Sequence, residues 1–186
     1  KKKLFTYGKN DSLLMNHASH KVKGVEFSTG SLGHGLPVAV GKALKFKLEK
    51  KKSKVYVLLS DGELNEGSNW EALLFASHHK LNNLVIIIDY NKIQSLGHSK
   101  KIINIEPLKD KFISFGCKVA KINGHNYLSI KNELNKKLSN KPKVIIANTI
   151  KGYDVNFMED NNLWHYKSPN NFELEKALNQ INKKYA

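Results

Sequence analysis

Val55-Tyr56-Val57-Leu58-Leu59-Ser60-Asp61-Gly62-Glu63-Leu64-Asn65-Glu66-Gly67 is a short apolar run that ends abruptly in a polar, glycine-punctuated turn. Five apolar residues without polar alternation are the mark of a strand buried on both faces, as in a parallel sheet. The pattern returns at Leu84 to Ile88, which is followed by Asp89-Tyr90-Asn91-Lys92-Ile93-Gln94. Cys117 to Ile122 and Val144 to Ala147 read as a third and a fourth strand. Helical periodicity fills the intervals. It runs over 36–50 (Leu36, Val40, Leu44, Leu48, with Pro37 in the first turn, where no N–H is needed), 70–81 (Trp70, Leu73, Leu74, Ser77) and 107–115. It continues over 126–139 (Tyr127, Ile130, Leu134, Leu138) and 172–181 (Leu174, Ala177, Leu178, Ile181). Short strands alternating with helices predict an α/β fold, a mostly parallel sheet with helices on both faces.

The chain has 186 residues, which fits a single domain spanning 1–186. Its single cysteine, Cys117, excludes an intrachain disulfide and fits a reducing, cytoplasmic setting. No apolar run approaches the roughly 18 residues of a membrane span, so no membrane partner is expected. The net charge is +15. All 31 basic residues are lysine, none is arginine, and asparagine is abundant at 21 residues. Arginine is the preferred bidentate reader of phosphate and guanine, so the charge reads as solvated surface and no nucleic-acid partner is expected.

In a sheet of this kind, ligands bind beyond the carboxyl ends of the strands. Asp61 and Asn91 each stand just past such an end. If their strands are neighbours, a carboxylate and an amide oxygen converge, and both are hard ligands of the type that Mg²⁺, or Ca²⁺, takes together with phosphate oxygens. The competing reading makes Asp61 a helix cap and Asn91 a turn residue. Gly62 permits close approach of a phosphate to the backbone. Gly30-Ser31-Leu32-Gly33-His34-Gly35 opens the helix at 36, a place where anions bind, but it lacks the lysine of a P-loop and the third glycine of a dinucleotide fingerprint. His78, His79 and His98 read as surface residues, His20 and His125 as loop and turn residues, and Cys117 as a small buried hydrophobe.

Taken together, Gly24-Val25-Glu26-Phe27-Ser28-Thr29-Gly30-Ser31-Leu32-Gly33-His34-Gly35, the Ser60-to-Gly67 turn and Asp89-to-Gln94 resemble the thiamine-diphosphate domain of transketolase. The segments Ala76 to Leu84, Asn148 to Gly152 and Phe157 to His165 are of the same type, so the likeness runs from about His17 to Pro169. It is nearest to the N-terminal subunit of split transketolases.

The resemblance implies roles. Asp61, Asn91 and the Ile93 carbonyl would bind the metal, Mg²⁺ with Ca²⁺ as the other hard cation. Gly62 would meet the diphosphate of thiamine diphosphate, and Gly30, Leu32 and Gly33 would pack beside the cofactor. His17 and His165 would contact the sugar and shuttle protons, with His165 also near the diphosphate. Glu66 and Glu71 would lie at the interface with a C-terminal, pyrimidine-binding partner subunit, which supplies the activating glutamate, in a homodimer or heterotetramer. The implied reaction moves a two-carbon ketol unit from a ketose to an aldose, on sugar or sugar-phosphate substrates, and needs that partner.

Three positions depart from the family pattern. Ser60 replaces a glycine, Asn126 an aspartate, and Asp154 a glycine expected close to the diphosphate, where a carboxylate would repel it. The family's earlier histidines have no counterpart, so an N-terminal stretch of the fold is expected to be missing. Two alternatives stand beside the enzyme reading: a non-catalytic assembly subunit, and a phosphate- or nucleotide-binding α/β domain without thiamine chemistry.

Overall fold

The computed structural model describes residues 2–137 and 139–185. Residues 2–34 hold a 3-10 turn, Lys2–Thr6, and otherwise irregular chain. The elements that follow are α1 (Gly35–Leu48), β1 (Val55–Ser60), a 3-10 turn (Gly62–Asn65), α2 (Gly67–His78), β2 (Leu84–Tyr90), the two-residue strands β3 (Ile93–Gln94) and β4 (Gly97–His98), and α3 (Ser99–Ile102). They are succeeded by α4 (Leu108–Ser114), β5 (Lys118–Asn123), α5 (Tyr127–Asn135), β6 (Lys143–Asn148), a 3-10 turn (Asn162–His165) and α6 (Asn171–Tyr185). No helix among the described residues is long and apolar enough to cross a membrane.

Four strands form one parallel sheet in the order β1-β2-β6-β5, and β3 pairs antiparallel with β4 as a separate hairpin. Ser60 stands opposite Asp89, Asp89 opposite Ala147, and Asn123 opposite Asn148. All four strands therefore end along one edge, and the two sequence-predicted ligand positions follow adjacent strands.

On one face, Val55, Leu59, Leu84, Ile86, Ile88, Val144 and Ile146 pack under α1, α2 and α4. Burying a side chain of this size contributes about 1.5–3 kcal/mol. On the other face, Leu58, Ile87, Ile122 and Ile145 meet Ile130 and Leu134 of α5 around a cavity of about 490 Å³. The expected α/β architecture is present, with corrections inside its helices. Leu36 and Val40 are buried but Leu48 is 73% exposed, while Ala39 and Ala43 take the core positions. A strict i+4 spacing advances about 40° per step, so three steps carry Leu48 off the apolar face. Helix α2 starts at Gly67 rather than 70 and buries Ala72, Leu73 and Ala76, leaving Leu74 outside. Trp70 stacks on Phe112 at 5.5 Å and donates its indole N–H to the Leu64 carbonyl at 2.8 Å.

In α5, Tyr127 is exposed, and Leu138 lies outside the described residues. Asn126, the departure from aspartate, caps this helix by accepting from the Ser129 N–H at 2.8 Å. Cys117 precedes β5 and is buried, and burial pushes its thiol up to about 11, which leaves it an inert hydrophobe. His125 stacks on Tyr153 at 3.7 Å and accepts from the Ile150 N–H, a structural role.

Candidate active site

A cleft of about 810 Å³ runs along the outer edge of β1, beside α1, and reaches the ends of β1 and β2. Its wall carries His17, Gly30, Leu32, Gly62, Asn91, Ile93 and His165, seven positions singled out in the sequence and scattered over 149 residues of chain. The strand ends bring Gly62 and Asn91 together. The β3–β4 hairpin turns Ile93 and Gln94 back over the Gly62 turn.

Asp61 lies directly beneath this wall and is fully buried. Its Oδ2 accepts from the Ser99 hydroxyl at 2.8 Å, while its Oδ1 has no partner. Burial pushes the carboxyl above its usual range, and hydrogen bonds from Ser99 and the local backbone only partly offset this. A buried carboxylate with no cation beside it and one orphaned oxygen is costly unless something from outside the chain completes it. Gln94 is in a similar position, its buried Nε2 lacking a partner. Asn91 accepts from the Ile93 N–H at 3.0 Å through Oδ1 and donates to Asp89 Oδ2 at 3.2 Å through Nδ2.

Among the described residues, no group of three or more His, Cys, Asp or Glu converges on one point. The donors expected here from the sequence are one carboxylate, one amide oxygen and a main-chain carbonyl, and a metal held by them would draw its remaining ligands from phosphate oxygens and water. That is the habit of Mg²⁺. Gly62 makes room for the hairpin, since a Cβ there would stand 2.7 Å from the Gln94 Cβ, and it lines the cleft. The residues present therefore fit a metal-held diphosphate.

The glycine loop divides into two parts. Gly30 has φ +139° and abuts the His17 ring, where a Cβ would come within 3.0 Å, so it sets the ring against the cleft wall. Gly33 does not reach the cleft. Its N–H donates to Glu63 Oε1 at 2.9 Å and its carbonyl accepts from Ser68 at 2.7 Å, in a space where a Cβ would meet Ser68 and Glu66. It ties the loop to the turn after β1 and leaves its amide no freedom to bind phosphate. Glu63, unmarked in the sequence, anchors that junction from a buried position; its spacing gives no signal, because its partner is 30 residues away.

His165 ends the Asn162–His165 turn, and burial, followed by Lys151, lowers its pKa and favours the neutral ring at pH 7. Lys151 also lines the cleft and carries no assignment from the sequence; a lysine just after a strand end is the available signal. Glu66, just before α2, and Glu71, early in α2, are both exposed. Ser60 fits its place, because its Oγ accepts from the Glu63 N–H at 3.1 Å and closes the turn. Asp154 requires a correction. Its carboxylate is held by Lys184 and Tyr185 of α6, and it lines neither the cleft nor the smaller cavity. The expected repulsion of a diphosphate has no geometric basis.

The family described as "Transketolase, thiamine diphosphate binding domain" matches residues 3–178. An apulose-4-phosphate transketolase subunit of Actinobacillus succinogenes is 48% identical over 95% of this chain and 64% of that protein. The 6-deoxy-6-sulfo-D-fructose transketolase subunit SqwG of a Clostridium species is 38% identical over 84% of this chain and 58% of its own length. The chain thus spans less than two thirds of these curated relatives. Among solved structures, transketolase from Campylobacter jejuni superimposes with a TM-score of 0.87 at 33% identity, over 96% of this chain and 29% of that one.

Proposed function

Because the chain belongs to the transketolase family, through its thiamine-diphosphate-binding domain, we propose that it is the diphosphate-binding part of a transketolase that transfers a two-carbon ketol unit from a ketose to an aldose. The observation that carries this reading is the buried, half-satisfied Asp61 beneath a cleft walled by Gly62, Asn91, Ile93, His17 and His165. Asp61, Asn91 and the Ile93 carbonyl would hold Mg²⁺, and Gly62 would admit the diphosphate to the backbone. Leu32 would pack beside the cofactor rings, and Lys151 would add positive charge near the phosphates. The chemistry supplied by bound thiamine diphosphate is the uptake and release of the two-carbon unit. His17 and His165 would bind substrate hydroxyls, and a neutral His165 can accept a proton and return it.

Three further features belong to the same reading. Glu66 and Glu71 would face a pyrimidine-binding partner subunit, which would make the working protein an oligomer, a homodimer or heterotetramer. The names of two relatives specify different sugars, so the substrate is assigned here only as a sugar or sugar phosphate. Residues 1–186 act as one domain, working in the cytoplasm. An Asp154 beside the diphosphate would favour a non-catalytic assembly role, and that support falls away with its pairing to α6. The test is ketol transfer from a ketose donor to an aldose acceptor with thiamine diphosphate and Mg²⁺, measured with and without the C-terminal subunit. Transfer that needs all components supports the proposal. Cofactor uptake that is indifferent to Mg²⁺ would contradict it.

A further inference from the structure

Asn91 can act as a metal ligand only if its oxygen, not its NH₂, faces the cation. The two ends of an amide have nearly the same shape, so the choice is made by what each end binds. Here both partners are unambiguous. The Ile93 backbone N–H can only donate, which assigns it Oδ1, and the Asp89 carboxylate can only accept, which assigns it Nδ2.

Asp89 is a half-buried residue near the end of β2, on the sheet face opposite the main core, where it lines the smaller cavity. Its other oxygen, Oδ1, accepts from the Thr149 hydroxyl just past β6. Its carbonyl accepts from the Asp61 N–H at 3.2 Å. One residue therefore touches the backbone of one candidate ligand and the side chain of the other, and also the start of the segment that carries Lys151.

We propose that Asp89 is a positioning residue of the metal site: it selects the ligating orientation of Asn91 and braces that amide against β6 through Thr149. The inference rests on the reading of Asp61 and Asn91 as metal ligands. It differs from a general electrostatic pull of the Asp89 charge on the cation, because what it requires is an acceptor at one place. An asparagine at 89 meets that requirement: its oxygen can accept from Asn91 while its NH₂ donates to the Thr149 hydroxyl.

The experiment is calorimetric titration of thiamine diphosphate into the full chain at a series of Mg²⁺ concentrations, with thermal unfolding measured without Mg²⁺. Partners that orient a ligand are typically worth about 10–100-fold in metal affinity. Asp89→Ala should raise the Mg²⁺ concentration for half-maximal uptake by about that factor, and excess Mg²⁺ should restore uptake. Asp89→Asn should stay within about threefold of wild type. An alanine variant with an unchanged Mg²⁺ midpoint overturns the proposal, as does a folded one that no amount of Mg²⁺ rescues. An asparagine variant as weak as alanine also overturns it and assigns the effect to charge. If the alanine variant does not fold, Thr149→Val decides: a raised midpoint supports the brace and an unchanged one refutes it. A wild-type chain that takes up no cofactor at any Mg²⁺ concentration, with or without a partner subunit, overturns the reading of the site and this inference with it.

Discussion

Glu133 and Asp61 are both carboxylates removed from water, at opposite ends of the sheet. Glu133 in α5 accepts from Lys143, the first residue of β6, at 2.9 Å and from Lys136 at 2.6 Å. Burial pushes Glu133 up, the two lysines outweigh it, and the carboxyl titrates below its usual range. Asp61, just past the end of β1, has a serine hydroxyl on one oxygen and nothing on the other, and burial raises it. The chain completes its own charge at the amino end of β6 and leaves it incomplete at the carboxyl end of β1. That asymmetry supports the proposal that the carboxyl end of β1 receives something from outside.

The largest effect is expected at the closed end. Glu133→Ala strands Lys143, which is only 3% exposed, without its counter-charge. Removing one member of a buried pair costs about 3–5 kcal/mol, to be read from urea unfolding. Cofactor affinity of the folded protein should not change. A loss below about 1 kcal/mol would mean that Lys143 escapes to water and that the two ends are less different than they look.

At the open end, Asp61→Ala should lower Mg²⁺-dependent thiamine-diphosphate affinity by at least about 100-fold, since a direct ligand outweighs the groups that orient it. The metal-free chain should be as stable as wild type or more so, because an unpaired buried charge has gone. Calorimetry and denaturant midpoints on the same samples test both halves. Unchanged affinity would end the metal assignment.

Acid sharpens the contrast. Glu133 has a folded pKa below its ordinary 4.5, so its contribution is full above that value and is lost as pH falls through the folded pKa. Denaturant midpoints measured from about pH 5 to pH 3 should therefore fall less steeply in Glu133→Gln than in wild type. Parallel curves would show that the pair does not set acid stability.

The smallest effect is expected at Asp154. With its carboxylate held by Lys184 and Tyr185, Asp154→Gly should change cofactor affinity by less than about twofold at any salt concentration, as for an exposed pair. Faster amide exchange in the last turn of α6 should accompany it. A clear tightening of cofactor binding confined to low salt would return Asp154 to the diphosphate.

Much of the site is legible because its residues follow strand ends. Asp61 and Asn91 are marked by apolar runs that stop abruptly, and the order of elements predicts that such runs lie side by side. Gly33 shows where this reasoning reaches its limit. A glycine before a helix reads as an anion site, yet its N–H is occupied by Glu63, and no local pattern joins residues 30 apart. Asp154 misleads for the same reason, since its partners lie 30 and 31 residues on, across a turn and a helix. The hairpin of β3 and β4 goes unseen because two residues carry no periodicity.

The alternation of buried strands and helices, and with it the parallel sheet and the edge at which the strands end, is written in the chain's apolar runs. These depend on runs and periods that each segment carries alone. Packing alone leaves Asp61 with an unpaired oxygen and Glu133 without one, brings Asp89 against the Asn91 amide, and turns Asp154 to α6. Whether a buried polar atom is satisfied depends on which distant residue arrives beside it, and that is fixed by packing rather than by local pattern.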